Sequence, residues 1–101
     1  MEFLDAAEKE LFAAASWYED QQEGLGARFL SEVEKASGLI ADHPRIGALW
    51  TYSEVPAGVR RFSIRTFPYH LVYVEEPRLV IVAVAHMSRR PGYWSYRLRQ
   101  I

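Results

Sequence analysis

The sequence predicts an α+β domain in which an N-terminal helical hairpin packs on a small, mainly antiparallel sheet. Three observations lead there. Two apolar stripes at helical spacing occupy the first 43 residues, and beyond residue 60 the apolar pattern switches to a period of two. The run Leu79-Val80-Ile81-Val82-Ala83-Val84-Ala85 is short, apolar throughout and rich in β-branched residues, the mark of a buried strand. Helices come first and strands follow with no helix between them, so the two kinds of element segregate rather than alternate. With 101 residues, half of them apolar, the chain forms one domain over residues 1–101 and buries roughly 60 to 65% of its unfolded surface.

Met1 to Leu4 has length only for a stub of strand. Asp5, with Glu8 three positions on, predicts an N-cap and its capping-box partner. Ala7, Leu11, Ala14 and Tyr18 then fall on one helical stripe, with Phe12 and Ala15 beside it. Gly24 and Gly26 supply a stop and a turn, ending this helix near Glu23. A second stripe, Leu25, Phe29, Val33, Ala36 and Ile40, runs to His43 and Pro44, where proline cannot continue it. Both helices place acids on their outer side, as a solvated face does.

Residues 44–58, with Gly47, Pro56 and Gly58, read as a connecting loop pinned by Leu49, Trp50 and Tyr52. Alternation follows: Phe62 and Ile64 point one way, Arg61, Ser63 and Arg65 the other. This register puts Arg61 and Arg65 together on an open sheet face and turns Phe62 and Ile64 toward the helices. Phe67-Pro68 marks a turn, Tyr69 to Glu75 the next strand, and Glu76-Pro77-Arg78 a second turn before the buried run. Two helices and a three-stranded meander result.

The formal charge of −1 conceals a division. Residues 1–57 carry four bases and eleven acids, a net of −7, whereas residues 58–101 carry eight arginines and two acids, a net of +6. Guanidinium is planar, weakly hydrated and forked, so an all-arginine half suits bidentate recognition of carboxylate or phosphate. The same arginines also suit pairing with the acidic helices of their own chain. There is no cysteine, which excludes disulfides and thiolate metal sites. Glu2 and Asp5 stand where a signal peptide needs positive charge, and the longest apolar run is far short of a membrane span. A cytoplasmic protein without membrane association is predicted.

The end of the chain concentrates functional chemistry. His86 closes the buried strand and is followed by Met87-Ser88-Arg89-Arg90-Pro91-Gly92-Tyr93-Trp94, a set suited to phosphates, bases or an acidic protein surface. His86 at a strand end fits either a carbonyl cap or acid–base work. His70 lies within strand alternation and reads as structural or surface, and His43 suits the terminal carbonyls of the second helix. Three histidines so scattered have no metal-ligand spacing, so neither a metal nor a cofactor is predicted. Tyr93 and Trp94 suit closing the sheet edge as well as stacking on a ligand.

Several of these residues in order carry a resemblance: Trp17-Tyr18-Glu19, Phe29 with Glu32-Val33, Ile40 with Pro44, Arg60-Arg61, Tyr69-His70-Leu71-Val72-Tyr73, and Ala83-Val84-Ala85-His86 followed by Arg89-Arg90 and Tyr93-Trp94. Together they resemble the RelE/ParE toxin superfamily of bacterial type II toxin-antitoxin modules, which includes plasmid stabilization systems. No single motif is specific; the order and spacing of many weak ones are. The resemblance implies a RelE/ParE-like fold, with an antiparallel sheet curved over a helical hairpin and the first strand parallel to and beside the last. It also implies a growth-inhibiting toxin held neutral by a cognate antitoxin. The first strand is shorter than is usual in that superfamily.

The superfamily divides by target. RelE-like members cleave ribosome-bound mRNA by in-line attack of a 2′-hydroxyl, which wants a base, an acid and cations over the phosphate. ParE-like members poison DNA gyrase and lack that set. The RelE-like pattern has lysines where this chain has Arg61 and Ser63, an arginine at His70, another near Met87 and a tyrosine at Tyr93, so only Arg61 and Tyr93 keep compatible chemistry. A nuclease centre would have to be assembled from Arg61, Arg65, His86, Arg89 and Tyr93. For target or antitoxin binding the resemblance and the charge division single out Arg60, Arg61, Arg65, Arg89, Arg90, Trp94 and Arg97. Slight net acidity disfavours a protein that grips RNA. The expected function is therefore that of a ParE-like toxin, with an mRNA endonuclease and a non-toxic binding module as the alternatives.

Overall fold

Strand β1 (Glu2–Phe3) runs directly into helix α1 (Asp5–Gln21), and that continuity decides where the helix begins. The computed structural model describes residues 1–51 and 55–101. Leu4, in extended conformation with its side chain buried, donates its N–H to the Ile81 carbonyl at 2.9 Å and offers its own carbonyl to the Glu8 N–H. The cap position is thus held by sheet pairing. Asp5 is already inside the helix and makes no side-chain cap, correcting the capping-box expectation. Asp5 and Glu8 instead place negative charge in the first turn, where the helix dipole favours it.

The turn to helix α2 (Leu25–Asp42) is tied from upstream. Gly24 takes a left-handed conformation (φ 88°), and the Glu19 carboxylate accepts the N–H groups of Gly24 and Gly26, each at 2.9 Å. A residue of α1 therefore satisfies the orphan donors of α2. These N–H bonds hold the Glu19 carboxyl below its usual range. The predicted stripes are buried at Ala7, Ala14, Ala15 and Tyr18 and at Phe29, Val33, Ala36 and Ile40. Phe12 is not part of the core: it is 55% exposed on the outer side of α1.

Among the described residues the sheet has five strands in the order β1-β5-β4-β3-β2: the expected meander and N-terminal stub, and one strand more. β2 (Ala48–Leu49) pairs antiparallel with β3 (Val59–Ser63), which pairs with β4 (Tyr69–Val74), which pairs with β5 (Val80–His86). β1 lies parallel to β5, as the resemblance implies. The segment read as a plain loop thus contains a two-residue strand. Its approach is pinned by the Tyr73 hydroxyl, which accepts the Gly47 N–H at 2.9 Å and donates to the Pro44 carbonyl at 2.7 Å. Tyr52, expected to pin the same loop, lies outside the described residues.

Tyr69 packs edge-on against Phe29 and Tyr18, which sets the helix-facing side of β4. By the register, Leu71, Tyr73 and Phe62 share that side, and Val59, Arg61, Ser63, His70, Val72 and Val74 take the other. This second side is not open. Trp50, Val55 and Trp94 are buried, Trp50 lies 5.8 Å from both the His70 and the Trp94 rings, and a 3₁₀ turn (Ser95–Gln100) follows. No helix among the described residues is long and apolar enough to cross a membrane.

Candidate functional site

The outer edge of β5 is where the C-terminal residues converge. β1 pairs with β5 only at Val80 and Ile81, and a bulge follows, since Val72 pairs with Ala83 and Tyr73 with Ile81, leaving Val82 without a partner in β4. Side chains close the edge that β1 leaves open. Arg97 donates to the Val82 carbonyl at 3.1 Å, and the Glu10 carboxylate accepts the Val84 N–H at 3.1 Å. Glu10 and Arg97 meet as a bidentate pair at 2.8 and 3.0 Å, and the Tyr93 hydroxyl donates to Glu10 at 2.7 Å. Burial, then the bond to the Glu10 carboxylate, pushes the Tyr93 phenol well above its usual range. Such a phenol is a poor proton donor or acceptor near neutral pH.

Arg97 is 6% exposed and committed, and Trp94 is 1% exposed. Both were expected to bind a target or antitoxin; the structure places them inside, where the C-terminal segment closes the sheet. Glu10 escaped the sequence reading because acids on the helices were assigned to solvent. Its spacing held the signal: it lies three residues after buried Ala7 and four before buried Ala14, on the inward stripe.

Beside this network a groove runs between α1 and the ends of β4 and β5. One opening, of about 510 Å³, is lined by Trp17, Tyr18, Pro68, Tyr69 and His86. Its neighbour, of about 290 Å³, shares Trp17, Tyr69 and His86 and adds Glu10 and Arg89. His86 Nδ1 accepts the Ser88 N–H at 3.0 Å, so in the neutral ring the proton sits on Nε2. The exposed Arg89 guanidinium covers the Tyr93 ring at 4.0 Å, and Arg90 is exposed next to it.

The remaining arginines lie elsewhere. Arg60 is half-buried and donates to the carbonyls of Gly47 at 2.8 Å and Arg45 at 3.3 Å. Arg61 lies over the Trp50 ring at 4.7 Å, close to His70, whose imidazole is pushed below its ordinary range by burial and then by the Arg61 charge. Arg65 does not share that face. After Ser63 the chain leaves β3 and turns through Thr66 (φ 69°), so strand alternation ends. Arg65 lines a groove of about 480 Å³ with Phe62, Ser63 and the α2 residues Glu32, Lys35, Ala36 and Leu39. The five residues of a nuclease centre thus fall in three places: Arg61 on the Trp50 side of the sheet, Arg65 beside α2, and His86, Arg89 and Tyr93 beside α1.

Residues 1–91 match the family model described as the ParE toxin of the type II toxin-antitoxin system, parDE. Comparison with curated proteins finds no match. The matched span takes in the helical hairpin, all five strands and the Glu10, His86 and Arg89 positions, so the chain belongs to the ParE toxin family of type II toxin-antitoxin systems.

Proposed function

We propose that this toxin acts in the cytoplasm by poisoning DNA gyrase, without cutting RNA, and that its antitoxin holds it neutral until released. One observation carries the choice of target. In-line cleavage needs a base, an acid and cations within hydrogen-bond reach of a single phosphate, whereas Arg61, Arg65 and the group of His86, Arg89 and Tyr93 stand at separate places around the sheet. Within that last group the Tyr93 hydroxyl is already bound to Glu10. Growth inhibition and a part in plasmid stabilization follow from the same reading.

Side-by-side assays of the purified chain test it: gyrase supercoiling, and cleavage of ribosome-bound mRNA. The expected result is loss of supercoiling with intact mRNA. Cleavage by the wild type that His86→Ala or Tyr93→Phe abolishes would replace the gyrase reading with the mRNA endonuclease.

A further inference from the structure

We infer that His70 is a proton-sensitive latch on the sheet face opposite the helices: neutral, it lets Trp50 and Trp94 close that face, and protonated beside Arg61 it loosens them. The latch works whichever target the toxin meets.

The register of β3 and β4 sets the pair. Arg61 stands opposite Val72 and Ser63 opposite His70, so Arg61 and His70 are diagonal neighbours on one face, within reach of long side chains. Trp50 bridges them. The Arg61 guanidinium lies 4.7 Å from the centre of a Trp50 ring, and the His70 ring meets Trp50 at 5.8 Å and 85°. Trp50 packs in turn on Trp94 at 5.8 Å, and the two indoles are 8% and 1% exposed. His70 is thus half-buried at the point where the cover meets the sheet.

The groups around the imidazole decide the sign. β3 presents Arg61 and Ser63, β5 presents Ala85 in register, and the cover presents the indoles. Among the described residues neither His70 nor Arg61 has an ion pair with a carboxylate. Arg61 already occupies the Trp50 ring at cation–π distance, so a second cation there meets its charge in a partly desolvated place. Burial, then the Arg61 charge, hold the imidazole below its ordinary range. The unfolded chain therefore takes up the proton first as pH falls, and stability drops with pH below about 6.5. Carboxylates of ordinary pKa titrate below that window. His43 is exposed at the end of α2, and His86 lies on the helix-facing side of the sheet, so neither touches the cover.

The test follows thermal unfolding and near-ultraviolet circular dichroism of the full chain at pH 7.5 and 5.5. The wild-type midpoint should fall by about 4 °C or more between the two, with weaker aromatic bands at pH 5.5. His70→Gln, which cannot take up the proton, should abolish most of that fall. Arg61→Gln should reduce it by removing the like charge, and His86→Gln should leave it in place. Wild-type midpoints that agree at the two pH values, or a fall that His70→Gln leaves unchanged, overturn the latch. Should His70→Gln not fold, the ring protons of His70 titrated by NMR in the wild type decide: a midpoint clearly below that of a free histidine is expected, and one at or above about 6.5 overturns it.

Discussion

Glu10 shows how one residue changes role once its surroundings are known. On a helix rich in acids it reads as a solvated charge, yet it accepts hydrogen bonds from the Val84 N–H, the Tyr93 hydroxyl and both arms of the Arg97 guanidinium. Removing one partner of a buried pair leaves an uncompensated charge, which costs far more than the net worth of the pair. Arg97→Met is therefore expected to lower stability by about 3 kcal/mol in urea unfolding. Adding Glu10→Gln to that variant should cost less than the sum of the single changes, because the stranded carboxylate is then neutral. Arg78 behaves differently: its bidentate pair with Glu2, at 2.8 and 2.9 Å, lies in solvent and contributes little.

Among the elements, the helical hairpin depends on one close approach. A Cβ on Gly26 would collide with the Ala15 carbonyl oxygen of α1 and reach within 3.0 Å of the Glu19 side chain, whereas a Cβ on Gly38 would meet nothing within 4 Å. The two glycines therefore predict opposite outcomes for the same substitution. Gly26→Ala should destabilise by about 1–3 kcal/mol, since backbone must move to admit the methyl group. Gly38→Ala, on the exposed side of α2, should stabilise by about 0.5–1 kcal/mol through helix propensity and a less free unfolded chain. Thermal unfolding of the two variants beside the wild type checks both signs. A contact of this kind explains why the turn carries two glycines where one would end a helix.

At the scale of the whole molecule, the sheet is covered on both sides, by the hairpin on one and by Trp50 and Trp94 on the other. The C-terminal segment is therefore part of the core, although the family match ends at residue 91. Deleting residues 93–101 removes Trp94, uncovers Trp50 and strips Glu10 and the Val82 carbonyl of Arg97. Loss of a buried tryptophan costs about 3–5 kcal/mol, and loss of the ion-pair partner about as much again. Against a total stability of about 5–15 kcal/mol for a domain of this size, the truncated chain should lose cooperative unfolding. Near-ultraviolet circular dichroism, which reports fixed aromatic packing, checks this: a truncated chain that keeps the wild-type signal and a sharp transition would contradict the structural role of the segment.

The sequence by itself determined the α+β class, the two helices and their buried faces, the three longer strands and the toxin superfamily. Each of these rests on local periodicity or on residue order: Phe29, Val33, Ala36 and Ile40 repeat at helical spacing, and Val80 to Ala85 form an unbroken apolar run. Only the tertiary structure decided where α1 starts, that β2 exists, that the sheet face opposite the helices is covered and what the arginines do. Those outcomes depend on partners distant in sequence, as when Leu4 bonds Ile81, Tyr73 pins Gly47 and Glu10 meets Arg97 across 87 positions. A two-residue strand has no period to read. A guanidinium on a basic half of the chain has the same local signature whether it pairs with its own helix, as Arg97 does, or stands at the rim of a groove, as Arg89 does.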